Sequence, residues 1–187
     1  MQNYSFINEP KSHAVTSTSV TIKTEPKTDY FNKTYFNMEM SNAPAYVMSV
    51  KNDFTYTVRT HQRFSAPYDQ AQLFMFVDNN NWVKAGLEGG PEFQQIGAVV
   101  TQFGYSDWST FDYDPKCDSV TIRAHRKGND FKIEFKTEQM KEWIALRIFH
   151  MHNATEEIKI GVMACSPFAG SFEAKFDQFK LEELQWK

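Results

Sequence analysis

The chain has 187 residues, 41% of them hydrophobic and 23% charged, which suits one domain with a sizeable core. Its net charge of −3 excludes the broad basic field of a nucleic-acid or anionic-membrane binder. No window approaches the roughly 18 apolar residues of a membrane span.

Aromatic residues make up 16% of the chain, 17 of them Phe, and such residues favour pleated, half-buried surfaces. The first ten residues lack a basic region followed by an apolar one, so no secretory signal is read and a cytoplasmic location is expected. Cys117 and Cys165 lie far apart and are then expected as reduced thiols rather than a disulfide.

In chain order, Tyr4 to Ile7 reads as a short strand, expected to pair with the long C-terminal strand. Asn42-Ala43-Pro44 and Lys51-Asn52-Asp53 bracket a strand over Tyr46 to Val50. Phe54, Tyr56 and Val58 alternate with polar residues. Tyr68 to Glu88 predicts a β-hairpin with a three-residue loop, Asn79-Asn80-Asn81, and Asp78 opposite Trp82. In that register Val77, Met75, Leu73 and Ala71 face Val83, Ala85, Leu87 and Gly89 on one apolar side. The other side carries Gln70, Gln72, Phe74, Phe76, Trp82, Lys84, Gly86 and Glu88.

Gly89-Gly90-Pro91 ends the hairpin, a strand follows over Gly97 to Phe103, and Gly104 to Ser109 reads as a loop. Asp112-Tyr113-Asp114-Pro115 marks a turn before the alternating run Val120 to Ala124. Lys127-Gly128-Asn129-Asp130 predicts a tight hairpin into Phe131 to Phe135, and Ile144 to Ile148 alternates again. Phe172, Ala174 and Phe176 alternate until Gln178, where the phase slips by one residue and predicts a β-bulge. Ten to thirteen strands without a helix, and without a break in composition, predict a single domain over 1–187 with an all-β, two-sheet jelly-roll sandwich.

The polar side of the Tyr68–Glu88 hairpin is the leading ligand surface. Aromatic faces stack on sugar C–H groups, while amides and charges bond hydroxyls. Candidate ligand residues are Gln70, Gln72, Phe74, Phe76, Trp82, Lys84, Glu88, Trp108 of the Gly104–Ser109 loop, and Arg123, if its strand shares that sheet. A solvated sheet face is the competing explanation for the hairpin, a structural loop for Trp108, and a solvated strand arginine for Arg123. Glu88 is a weak candidate catalytic carboxyl, with Asp69 or Asp107 as conceivable partners. His150 and His152 share a strand face, but no third ligand is evident. No metal and no cofactor are expected, since phosphate-loop, nucleophile-elbow and zinc-helix motifs are absent.

Six blocks in order carry a family resemblance: Thr28-Asp29-Tyr30-Phe31, Tyr68-Asp69-Gln70-Ala71, Trp82 to Glu88, Val99-Val100-Thr101, Ser106 to Ser109, and Gly161 to Pro167. Together they resemble the domain-of-unknown-function family that includes the fungal regulation-of-enolase protein. The resemblance implies a concanavalin A-like lectin/glucanase fold with a concave sheet, and a link to control of galactose-responsive metabolism. Phe76 stands where that family usually has a polar or basic residue. The E-x-D-x-x-E signature of glucanases with this fold is missing.

The expected function is an intracellular, lectin-like domain binding a saccharide or sugar-derived small molecule. The alternatives are a glycoside-active enzyme using Glu88, and a regulatory module with a protein partner or a second copy of itself. Fold alone does not choose among them.

Overall fold

The computed structural model describes residues 3–114 and 116–186, so Pro115 of the expected turn lies outside the described residues. Sixteen strands and no helix form among them. One sheet runs, in spatial order, β1 (Tyr4–Ile7), β6 (Ala45–Lys51), β15 (Glu157–Cys165), β8 (Asp69–Asp78), β9 (Asn81–Gly89), β10 (Gln94–Gln102) and β11 (Tyr105–Asp112). The other runs β14 (Ile144–His150), β13 (Asp130–Lys136), β12 (Ser119–Lys127), β7 (Phe54–His61), β16 (Glu173–Glu182), β3 (Ser19–Lys23) and β2 (His13–Val15). A ribbon of β4 (Tyr30–Asn32) and β5 (Glu39–Ser41) stands apart. The surplus over the expected strand count includes the three-residue strands β2, β4 and β5, which are too short to show alternation.

The two sheets stack as a jelly-roll sandwich because each long strand is apolar at every second position. Leu73, Met75, Ala85 and Leu87 of the first sheet meet Tyr56, Val58, Ile122 and Phe176 of the second in one shared core. Each large side chain so buried contributes roughly 1.5–3 kcal/mol. The predicted tight hairpin is present: Lys127 pairs with Asp130 across Gly128, whose φ of 59° suits the turn. The predicted bulge in β16 is present too, between Asp177 and Lys180, with Gln178 at φ 54°.

Three expectations change. The Tyr68–Glu88 hairpin turns on two residues, with Asp78 opposite Asn81. The Asp78 carboxylate closes that turn, accepting from Asn80 N at 2.7 Å and Asn81 Nδ2 at 3.0 Å, and a bulge between Phe76 and Asp78 absorbs Val77. Pairing therefore slips by two: Met75 faces Val83, Leu73 faces Ala85 and Ala71 faces Leu87. A slip of two preserves the faces, so the division into apolar and polar sides stands.

Gly104 to Ser109 is not a loop. Phe103 and Gly104 turn, and Tyr105 onward is edge strand β11. Its exposed, mixed composition hides the alternation.

The terminal strands do not pair, since β1 joins β6 and β16 joins β3 and β7 in the opposite sheet. They meet only through side chains, Tyr4 edge-on to Phe179 at 5.7 Å.

Candidate ligand-binding site

The register fixes what the outer face of the first sheet presents. One row across the strands is Val47, Gly161, Phe74, Lys84, Val99 and Trp108, and another is Cys165, Gln70, Glu88 and Gln95. Lys84 and Glu88 are four apart on β9 with Gly86 between them, so no side chain separates them.

This face is not open to solvent across its width. The segment 24–44, containing the β4–β5 ribbon, crosses it as a strap. The strap is fixed at one end by Thr28 N to Ser166 O at 3.2 Å and Thr24 Oγ1 to Ser166 Oγ at 2.7 Å. At the other end Asn32 N donates to Ser106 Oγ at 2.8 Å, and Asn32 Nδ2 to Asn79 O at 3.0 Å. Asn42 ties the strap to itself, its Oδ1 accepting from Asp29 N at 3.0 Å.

Under the strap, Tyr30 packs on Phe74 at 4.7 Å and on Trp82 at 5.3 Å, forming a second small core with Met163 and Cys165. Phe74 and Trp82 are thus fully buried, and Gln72 nearly so. Phe76 is half-buried, with Lys159 Nζ 6.0 Å from its ring centroid. These four sequence candidates lie on the expected face, but Phe74, Phe76 and Trp82 pack with the strap's Tyr30 and none of the four lines the cavity beside it.

Beside the strap a cavity of about 420 Å³ remains, in the range of small-molecule sites. Its floor is Asp29, Gln70, Lys84 and Glu88, and Phe31, Met38, Val99 and Pro167 wall it. Phe36, Tyr68, Trp108 and Phe168, each well exposed, ring its mouth. Tyr68 holds its place with φ at 62°, in the left-handed region that a bulky side chain rarely adopts. Asp69 makes this local fold: its Oδ2 accepts from Ser65 N and Ala66 N, both at 2.9 Å, and so closes the turn that presents Tyr68. Asp69 is therefore structural and no partner to Glu88. Asp107 is spent likewise, paired with Arg147 at 2.5 Å.

The carboxylate that does join Glu88 is Asp29, delivered by the strap. Lys84 Nζ donates to Asp29 Oδ1 at 2.6 Å and to Gln70 Oε1 at 2.8 Å. Asp29 Oδ1 also accepts from Tyr30 N at 2.8 Å. Burial alone would push the Lys84 ammonium toward neutrality, but the neighbouring acidic groups, Asp29 foremost, together outweigh it, and its pKa ends above the ordinary lysine value. Glu88, 3% exposed, is raised to about 7, chiefly by burial. The charge on Lys84 and a hydrogen bond from Trp108 Nε1 at 3.0 Å hold it from going higher. Cys165 lies beneath, its thiol 3.5 Å from Asp29 Oδ1 and kept protonated by burial and by that carboxylate.

Of the nine sequence candidates, Gln70, Lys84, Glu88 and Trp108 converge on this cavity. Arg123 does not, because β12 lies in the opposite sheet. There its Nε donates to Glu134 Oε2 at 2.7 Å, and its guanidinium lies over Trp143. His150 is bound to Asp130 at 2.7 Å, and among the described residues no three His, Cys, Asp or Glu gather as a metal site needs. Sequence reasoning passed over Asp29, Phe36, Tyr68 and Phe168 as site residues. The one usable signal was Lys84 itself, since a lysine on a strand covered on both faces requires a buried counter-charge.

Residues 6–184 match the family described as protein of unknown function (DUF1349), and the chain belongs to that family. It is 27% identical over 176 residues to Regulation of enolase protein 1 from Saccharomyces cerevisiae, covering 94% of this chain and 87% of that one. The crystal structure of a functionally unknown protein from Saccharomyces cerevisiae superposes with a TM-score of 0.91 at 26% identity over 98% of both chains. The GH43 BlXynB protein from Bacillus licheniformis shares the fold, with a TM-score of 0.75 at 15% identity, over 96% of this chain but only 36% of that longer one.

Proposed function

We propose that this DUF1349 protein binds a saccharide or sugar-derived small molecule in the cavity between the strap and the first sheet. The observation that carries this reading is the pairing of an aromatic mouth with a buried polar floor: Phe36, Tyr68, Trp108 and Phe168 above Gln70, Lys84, Asp29 and Glu88. Sugar rings offer C–H faces to the first group and hydroxyls to the second. The likeness to a GH43 protein supports only the suitability of the scaffold.

The test is a titration series of mono- and oligosaccharides, read by calorimetry and by thermal shift, on the parent chain and on Trp108→Ala and Tyr68→Ala. Binding raises the melting temperature of a protein whose native state alone binds. Tyr68→Ala leaves the floor intact, Trp108→Ala also removes the hydrogen bond to Glu88, and both are expected to lose affinity at least tenfold. Saccharide binding that is unchanged in both variants, or absent altogether, sinks the proposal.

A glycoside-active enzyme is the second reading, favoured by the Glu88 carboxyl at about 7 with Asp29 in the same cavity. Release of a reporter group from aryl glycosides, abolished by Glu88→Gln, would establish it. The ion pair that occupies Asp29 Oδ1 weighs against Asp29 as a free nucleophile or base.

A further inference from the structure

The cavity's charge arithmetic narrows the ligand class, on the premise that the cavity is a saccharide site. Among the described residues Lys84 is its single cation, and its charge is cancelled by Asp29 at 2.6 Å. Two of its three N–H donors are already engaged by Asp29 and Gln70. Glu88 has no such partner. Among the described residues it forms no ion pair, and its one hydrogen bond is from Trp108 Nε1 to Oε1. A carboxyl 3% exposed therefore ends in the cavity without an ion-pair partner of its own, the nearby Lys84 charge being committed to Asp29. Above it stand four aromatic rings, Phe36, Tyr68, Trp108 and Phe168, whose π faces are negative. Nothing here complements a phosphate or a carboxylate, which would meet Glu88 as a like charge. An ammonium would complete both features at once, pairing with Glu88 and lying among ring faces.

We infer that the ligand carries a positive charge: an amine-bearing saccharide, with its ammonium against Glu88 and its ring against Trp108 and Tyr68. Of the neighbouring charges, Lys84 opposes the incoming cation and Asp29 favours it, and the two nearly cancel. Selection therefore falls to Glu88. A cation at Glu88 stabilises its ionised form, so binding releases a proton and tightens as pH rises toward about 7, until the sugar amine itself loses its charge.

Calorimetric titration at pH 7, where much of a sugar amine is still protonated, with glucosamine and its β-1,4-linked dimer, against glucose, cellobiose, glucose 6-phosphate and tetramethylammonium, tests this. The amine-bearing sugars are expected to bind at least tenfold tighter than their neutral counterparts, and the phosphate not at all. In Glu88→Gln, which keeps the side chain's shape and an acceptor for Trp108, the preference should shrink to threefold or less. At pH 7 the apparent enthalpy for glucosamine should vary with the ionisation enthalpy of the buffer, and that for glucose should not. Neutral sugars binding as well as amines, or a preference for the amine that survives Glu88→Gln, overturns the inference while leaving the saccharide reading intact. Tetramethylammonium binding that is lost in Glu88→Gln, without binding of any sugar, supports charge selection and refutes the saccharide reading. Failure of every probe refutes both.

Discussion

Replacing Lys84 by Met removes one charge from a buried pair and nearly preserves volume, so it isolates the electrostatics. The two side chains are 2% and 7% exposed and meet at 2.6 Å, where the gross attraction is on the order of 6 kcal/mol at an effective dielectric near 20. That attraction is largely offset by the desolvation of both ions, and the observable cost comes from the orphaned partner. Deleting one member of a buried pair costs about 3–5 kcal/mol. Asp29 keeps the Tyr30 N–H at 2.8 Å, which places the expected loss at the lower end, about 3 kcal/mol. For a chain of this size that corresponds to roughly 6–12 °C in Tm. Urea unfolding with linear extrapolation gives the value directly. Adding Asp29→Asn to Lys84→Met removes the stranded charge and should recover roughly 1–2 kcal/mol. A single variant that loses less than about 1 kcal/mol, or a double variant less stable than the single, would refute the claim that this pair is a desolvated ion pair.

Three further outcomes are expected. Glu88 has a folded pKa raised from 4.5 to about 7, so its stabilising contribution is present below pH 4.5 and lost as pH rises through 7; Glu88→Gln, which does not titrate, should gain about 2–3 kcal/mol on the parent between pH 5 and pH 8 in urea melts. Burial would raise Glu134, but hydrogen bonds from Lys132, His125 and Arg123 bring it down to about 2. Its contribution is therefore present above pH 4.5 and lost as pH falls toward 2, so Glu134→Gln and the parent should differ at pH 7 and converge in stability near pH 2. Gly161→Ala should destabilise by more than about 2 kcal/mol in the same assay, because its Cβ would lie 2.0 Å from Tyr46 O across the β15–β6 pair.

What the sequence disclosed follows from which interactions are local. Period-two alternation assigned Ala71, Leu73 and Met75 to the core and Gln70, Lys84 and Glu88 to the other side, and burial on one face enforces that division whatever the turn. The turn itself was misread because three consecutive Asn suit either loop length. The Asp78 side chain, which decides between them, acts through bonds to Asn80 and Asn81 that alternation does not encode. The strap was invisible for a stronger reason. Lys27, Lys33, Tyr35 and Asn37 all take positive φ, and its strands span three residues each, so no periodic signal survives. Arg123 was placed by the parity of β12, which gives the face of a strand but not the sheet to which it belongs.

The strap changes what the polar face is for. On an uncovered sheet, Phe74, Trp82 and Lys84 would be one continuous surface. Tyr30 instead seals the first two, and Asp29, its neighbour in sequence, binds the third. Two adjacent residues of one short strand-and-turn segment thus divide the face into a sealed half and an open half ending at Glu88. The ion pair that anchors the strap is also the floor of the cavity, so stability and ligand binding share a structural element. Lys84→Met should therefore weaken binding of a neutral saccharide that protects the parent from thermal unfolding, even one that never touches Lys84, whereas an ammonium also gains from losing the opposing charge. A neutral saccharide bound at parental affinity by that variant would show that the cavity stands without its ionic floor.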